Sequence, residues 1–114
     1  MFTVTGPQSP SVLTNMISSI EQHIEWIANF FAFVQKNNVV SIEARKEEED
    51  AWVEYNNVES QKTLYPQANS WYLGNNIPGK ARAIFPYTGG LDVYRKICDS
   101  VAASDYATFD IKRV

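Results

Sequence analysis

At 114 residues and 12.9 kDa the chain is sized for one small domain or part of a larger one, which excludes a multidomain enzyme. Its side chains are 45% apolar and include three Trp, six Tyr and six Phe, and only 20% are charged, so a disordered tail is excluded as well. Ten Lys and Arg against thirteen Asp and Glu leave a net charge of −3 and a pI near 5.0, without the cationic excess that neutralising nucleic-acid phosphates demands.

Phe2-Thr3-Val4-Thr5 alternates apolar and polar before Gly6-Pro7 and reads as a short strand running into a turn. Residues 6–16 carry two prolines, a glycine and two serines and form a loop. The first long helix follows. Ser18 and Glu21 fit a capping box, Ile17, Ile20, Ile24, Ile27, Phe31 and Val34 recur as one apolar stripe, and Asn37-Asn38 ends the helix with Lys36 in the last turn. After the β-branched stretch at Val39 to Ile42, the acidic run from Glu43 opens a second helix. Lys46 and Asp50 pair on one face, Trp52, Tyr55, Val58 and Lys62 lie at helical spacing, and Pro66 marks the stop.

Residues 66–90 hold four of the five glycines and three of the five prolines, interleaved with Trp71, Tyr72, Phe85 and Tyr87. A loop beyond ~12–15 residues in a compact domain usually binds something or is disordered, and the aromatic content argues for binding. A third helix carries Leu91, Tyr94, Ile97, Cys98 and Val101 on one side, and Tyr106 to Ile111 alternates as a terminal strand. The expected fold is therefore mixed α/β and helix-dominated, with helices at about 18–37, 45–64 and 90–103 and short strands at either end.

A single cysteine, Cys98, forms no intrachain disulfide and suits a reducing compartment, so the cytoplasm is the expected location. The N-terminus has no signal-peptide pattern and no run reaches the ~18 apolar residues of a membrane span. One His and one Cys far apart make no metal site. Residues 1–60 carry three basic and nine acidic groups, and residues 61–114 seven basic and four acidic, so the second part is the one suited to an anion.

Gly74 to Lys80 fits GxxxxGK in spacing, but Ala81 stands where a Ser or Thr hydroxyl should meet magnesium, Pro78 removes a cradling N–H, and Pro86 follows where a helix should begin. His23 has no nucleophile beside it in any recognisable motif, and Cys98 on an inward stripe is expected to be an inert thiol. No catalytic set emerges. What remains is a pair of irregular loops, 6–17 and 66–90, each attached to elements able to hold it against a ligand.

At these loops the sequence TGPQSPSVLTNM (5–16) with SIEQHIEWI (19–27), then LYPQANSWYLGNNIPGKARAIFPYTGG (64–90) and YRKICDSVAASDYATF (94–109), resembles the C-terminal quarter of type I Baeyer–Villiger monooxygenases, in unbroken order over about residues 2–111. The resemblance implies FAD and NADPH as cofactors and insertion of one oxygen atom of O2 beside a ketone carbonyl. It also exposes an absence: the family's two GxGxxG motifs and its FxGxxxHxxxW fingerprint occur nowhere in these 114 residues. Residues 1–114 are thus expected to be a single C-terminal segment, a partial FAD domain with no complete dinucleotide-binding unit.

Carried over position by position, the resemblance implies that Ser11, Val12 and Leu13 line the substrate pocket and that Met16 precedes the helix whose N-terminus approaches the flavin. It implies further that Trp71 is the tryptophan of the mobile control loop, reaching the nicotinamide cofactor with its indole N–H, and that Phe85 faces the substrate. Asn75 departs from the family, which commonly has Ala there. The expected partner is an upstream nucleotide-binding polypeptide of the same enzyme, with neither FAD nor NADPH held tightly by this chain alone. The alternative is a non-catalytic domain, derived from such an enzyme, that associates with itself as a homo-oligomer. Neither nucleic acid nor a membrane is an expected partner.

Overall fold

The computed structural model describes residues 1–10 and 13–114. Three α-helices and one two-stranded sheet follow in the order α1 (Met16–Lys36), β1 (Val39–Ala44), α2 (Lys46–Ser60), α3 (Leu91–Ala103) and β2 (Phe109–Arg113), with 3-10 turns at Tyr65–Gln67 and Trp71–Leu73. The architecture is the mixed α/β, helix-dominated one expected, with local corrections. Among the described residues, no helix is long and apolar enough to cross a membrane.

α1 begins at Met16 rather than near Ser18, because Asn15, one of the strongest capping residue types, accepts the Ile17 N–H on its side chain at 3.0 Å. Ser18 and Glu21 then fall inside the helix on its exposed face. The helix ends where expected: the Asn37 backbone and side-chain N–H groups donate to Phe33 O at 3.0 and 2.9 Å, and Asn38 takes a left-handed φ of 50°. α2 starts with Glu47, Glu48 and Glu49 in its first turn, where carboxylates complement the helix dipole. It stops at Ser60, short of the expected 64, because the Ser60 and Thr63 hydroxyls bond back to Asn57 O and Ser60 O and tighten the chain into turns.

The expected strand at residues 2–5 does not form. A strand needs a partner ladder, no described residue pairs with this segment, and Thr5 turns the chain with a φ of 53°. Phe2 instead packs its ring against Trp26, Phe30 and Phe31 of α1. The terminal strand is shifted to Phe109–Arg113 by its partner: β1 and β2 pair antiparallel from Ala44↔Phe109 to Val39↔Arg113, with an irregularity between Val39 and Ser41.

Two aromatic clusters hold these elements. Phe30, 1% exposed, meets Tyr106 at 4.9 Å and Phe2 at 5.1 Å between ring centroids, tying both ends of the chain to α1. Tyr87, 2% exposed, stacks on Trp52 of α2 at 5.6 Å and meets Tyr94 of α3 at 5.5 Å. The Trp26 indole N–H donates to Cys98 O at 2.9 Å and joins α1 to α3. The face of α1 turned into this packing is Ser19, Gln22, His23, Trp26 and Phe30; the isoleucine stripe read from the sequence looks elsewhere, with Ile17, Ile24 and Phe31 exposed. α3 buries no residue fully, and the radius of gyration, 15.6 Å, exceeds the ~13 Å of a compact domain of this length. The apolar faces of α1 and α3 are therefore larger than their partners within the chain.

Candidate functional site: two interlocked loops

The two irregular segments singled out in the sequence are joined to each other. Gln8 N–H donates to Phe85 O at 2.5 Å and Tyr87 N–H to Ser9 O at 3.0 Å, with a parallel bridge between Pro10 and Tyr87. The long loop also folds onto itself, Phe85 N–H donating to Tyr72 O at 3.0 Å and Ala83 N–H to Leu73 O at 3.3 Å. Segments 8–10, 83–87 and 72–73 thus lie side by side, and the buried Ser19 hydroxyl donates to Pro10 O at 3.2 Å to fasten them to the start of α1.

Within the long loop, the Ser70 hydroxyl caps the turn Trp71–Leu73 by accepting the Tyr72 N–H at 3.2 Å, and Gly74 closes it in the left-handed region at φ 76°. A Cβ on Gly74 would lie 3.3 Å from Lys80 Cδ, since the lysine stem crosses directly over it. The Lys80 ammonium ends 4.9 Å from the centre of the Phe85 ring, a cation–π contact. This lysine belongs to turns at residues 74–80, with no helix behind them, so the GxxxxGK spacing makes no phosphate cradle. Asn75, the position that departs from the family pattern, donates to the Asn69 side chain at 2.8 Å.

Of the site residues expected, Trp71 is 61% exposed on its turn, its ring 4.1 Å from that of Tyr72. Phe85 is half-buried where the two loops meet. Met16 is the first residue of α1 and Leu13 is exposed just before it. Ser11 and Val12 lie outside the described residues. The structure brings Phe85 against the loop leading to residues 11–13 and fastens Trp71's turn to the Phe85 segment. The α1 N-terminus carries no acidic side chain in its first turn, so its dipole is available to an electron-rich group. That donor set suits the ring end of a flavin; the pyrophosphate end has no counterpart here, because the five glycines, at 6, 74, 79, 89 and 90, nowhere make a GxGxxG turn.

A concavity of about 450 Å3 lies away from the loops, with Phe2, His23, Trp26, Trp52, Tyr94 and Cys98 in its walls. His23 Nδ1 accepts the Thr5 N–H at 2.8 Å, so the ring proton sits on Nε2, which is buried without a conventional partner among the described residues while the ring stands edge-on to Tyr94. Burial lowers the His23 pKa and raises the Cys98 and Tyr94 pKa values, so all three stay neutral near pH 7. Glu48 and Glu49 of α2 also line the cleft, while its thiol, phenol and imidazole are uncharged, in keeping with an unactivated Cys98. Among the described residues no group of three His, Cys, Asp or Glu side chains is placed to hold a metal ion.

The sequence reading missed the Asn15 cap, the Thr5–His23 bond and Arg82, whose guanidinium reaches across the long loop to Pro66 O and Ala68 O. Asn15 was legible as a strong cap residue; the other two depend on long-range contacts that no local pattern encodes.

No family model matches the chain. It is 42% identical over 112 residues to a cyclohexanone 1,2-monooxygenase from Acinetobacter sp., covering 98% of this chain and 20% of that protein. It superposes on the crystal structure of cyclohexanone monooxygenase from Rhodococcus sp. Phi1 bound to NADP+ with a TM-score of 0.89 at 35% identity, over 97% of this chain and 20% of that one. Cyclohexanone monooxygenase solved in a closed form gives a TM-score of 0.89 at 38% identity, over 97% and 20% of the two chains. In an open form it gives 0.74 at 31% identity, over 96% and 17%. The chain spans about a fifth of the length of the relatives it matches. In sequence and shape it matches one segment of flavoprotein monooxygenases. More narrowly, it is homologous over nearly its whole length to type I Baeyer–Villiger monooxygenases and corresponds to one segment of that family.

Proposed function

We propose that this chain supplies the substrate-pocket and cofactor-lid part of an FAD- and NADPH-dependent Baeyer–Villiger monooxygenase, working with the nucleotide-binding part of such an enzyme. The observation that carries the reading is the backbone interlock of loops 8–10 and 72–87 at the start of α1, in a chain that superposes over 97% of its length on a monooxygenase bound to NADP+. The bound flavin, reduced by NADPH, supplies the activation of O2 for oxygen insertion next to a ketone carbonyl.

Each residue of this chain has a positional task in that reading. The α1 N-terminus, at Met16, offers backbone N–H groups and roughly +0.5 charge to the electron-rich edge of the reduced flavin. Trp71, exposed on a capped turn, presents its indole N–H to the nicotinamide cofactor. Phe85, fixed by two backbone bonds and by Lys80 over its ring, forms an apolar wall that excludes water from the ketone. Ser11, Val12 and Leu13 complete the pocket. The lone thiol supports a cytoplasmic location for this reading.

Alone, the chain holds neither cofactor tightly and turns over no ketone, because a pyrophosphate needs the glycine-rich strand-to-helix turn that its residues lack. The test is a graft: this chain replaces the 112 matched residues of the Acinetobacter relative. The graft is expected to bind FAD stoichiometrically and to oxidise NADPH in a ketone-dependent way, with Trp71→Ala raising the KM for NADPH. A folded, FAD-loaded graft without oxygenation, or saturable micromolar FAD binding by the 114-residue chain by itself, overturns the proposal.

A further inference from the structure

Trp71 sits in the first third of the long irregular segment 66–90, and its neighbours on the two sides are held in different ways. The residues after it are fixed by backbone bonds, Leu73 O to Ala83 N–H and Tyr72 O to Phe85 N–H. The residues before it, 66–70, make none of these ladder bonds. They are reached instead by a side chain: Arg82 Nη2 donates to Ala68 O at 2.9 Å and to Pro66 O at 3.3 Å. These two carbonyls flank the end of the 3-10 turn Tyr65–Gln67, and Arg82 immediately precedes Ala83 in the returning segment. Arg82, together with the shorter-range Asn75–Asn69 amide bond, therefore closes the loop, tying its incoming arm to its outgoing arm with Trp71 carried between them.

We propose that Arg82 is a positioning residue for the lid: its clasp on residues 66–68 sets how Trp71 is presented. The inference rests on the reading of residues 66–90 as the nicotinamide-facing lid and adds a residue to it. Arginine suits the task because its guanidinium is always protonated and presents several N–H groups from one plane, so a single side chain serves two carbonyls. A lysine offers the same charge from a compact, strongly hydrated point and holds such a pair less well. Charge-assisted bonds of this kind at an exposed position are expected to shift the ratio of clasped to released arm by about tenfold. A cofactor that needs the clasped state then binds more weakly in proportion to the fraction lost.

Two measurements test this on Arg82→Gln and Arg82→Lys. In the 114-residue chain, amide hydrogen exchange is expected to quicken about tenfold at Ala68, Leu73 and Gly74 in Arg82→Gln, and by less in Arg82→Lys, with the amides of α1 unchanged as the control for folding. In the graft, Arg82→Gln is expected to raise the KM for NADPH about tenfold with kcat nearly unchanged, and Arg82→Lys to recover part of the loss. Unchanged exchange at Ala68, Leu73 and Gly74 overturns the clasp. A raised KM in Trp71→Ala with none in Arg82→Gln overturns the role of Arg82 and leaves the lid reading standing. No change in KM for either variant overturns the lid reading itself.

Discussion

The exposed stripe on α1 gives a differential prediction, with Ile17 68%, Ile24 54% and Phe31 52% exposed. Burying a whole Ile or Phe side chain contributes about 1.5–3 kcal/mol, so each of the three has roughly 1–1.5 kcal/mol still to gain from a covering surface, about 4 kcal/mol together. Replacing all three with Gln, which keeps the helix, should cost the 114-residue chain about 2–3 kcal/mol in urea unfolding followed by circular dichroism, from the part of each side chain already buried against its neighbours. In the graft, followed by flavin fluorescence, the same triple variant should cost about 4 kcal/mol more, if the stripe there is covered by the nucleotide-binding part. Equal losses in the two settings, or none in the graft, would refute the idea that this face is a docking surface for the nucleotide-binding part.

Phe30→Ala removes the ring that joins Phe2, Trp26, Phe33 and Tyr106. Loss of a buried Phe costs ~3–5 kcal/mol, so the melting temperature of the chain should fall by about 15 °C. Gly89→Ala would place a Cβ 2.6 Å from Tyr87 Cζ and closer still to its hydroxyl, against a ring that is locked by Trp52. A loss of about 1–3 kcal/mol is expected, and Tyr87→Phe in the same chain should relieve part of it in a double-mutant cycle. His23 is held neutral by burial, its pKa lowered from 6.5. The unfolded chain therefore binds more protons than the folded one below pH 6.5, so thermal stability should fall as the pH drops from 6.5 toward the folded pKa. His23→Gln should flatten that slope. If the apolar stripe makes the isolated chain self-associate, sedimentation should show a dimer that the triple Gln variant abolishes; a monomer in both cases removes the self-associating alternative.

The sequence announced these features unevenly, for physical reasons. Helices were legible because their period and end signals are local, and the two loops because glycine, proline and aromatic residues crowd into them. The strand expected at residues 2–5 fails because alternation identifies a segment able to pair, whereas pairing depends on a neighbour. The isoleucine stripe was read correctly as one apolar face, yet the face packed within the chain is Ser19, Gln22, His23, Trp26 and Phe30. Periodicity reports that a surface is apolar and is silent on which partner covers it. The candidate site followed the same rule: the resemblance pointed to Trp71 and Phe85, while the Arg82 contact to Pro66, sixteen residues back, depends on the folded chain.

The long loop has its own means of keeping shape in a segment whose helices leave apolar surface uncovered. Fixing one residue's backbone costs roughly 1–2 kcal/mol, so some twenty-five residues without regular structure are expensive to order through contacts with a ligand alone. Here much of that order is intrinsic. Ser70 and Gly74 cap the Trp71 turn, Arg82 and Asn75 hold its approach, and Tyr72, Leu73, Gln8 and Ser9 bond its return. A lid prearranged in this way leaves less ordering to be done when cofactor binds, so more of the contact free energy appears as affinity. The same arrangement gives the loop discrete places to open, at Arg82 and Asn75, without dismantling the backbone ladder that fixes Phe85 beside residues 8–10. On the proposed reading, opening at those two contacts would free Trp71 while Phe85 stays in place.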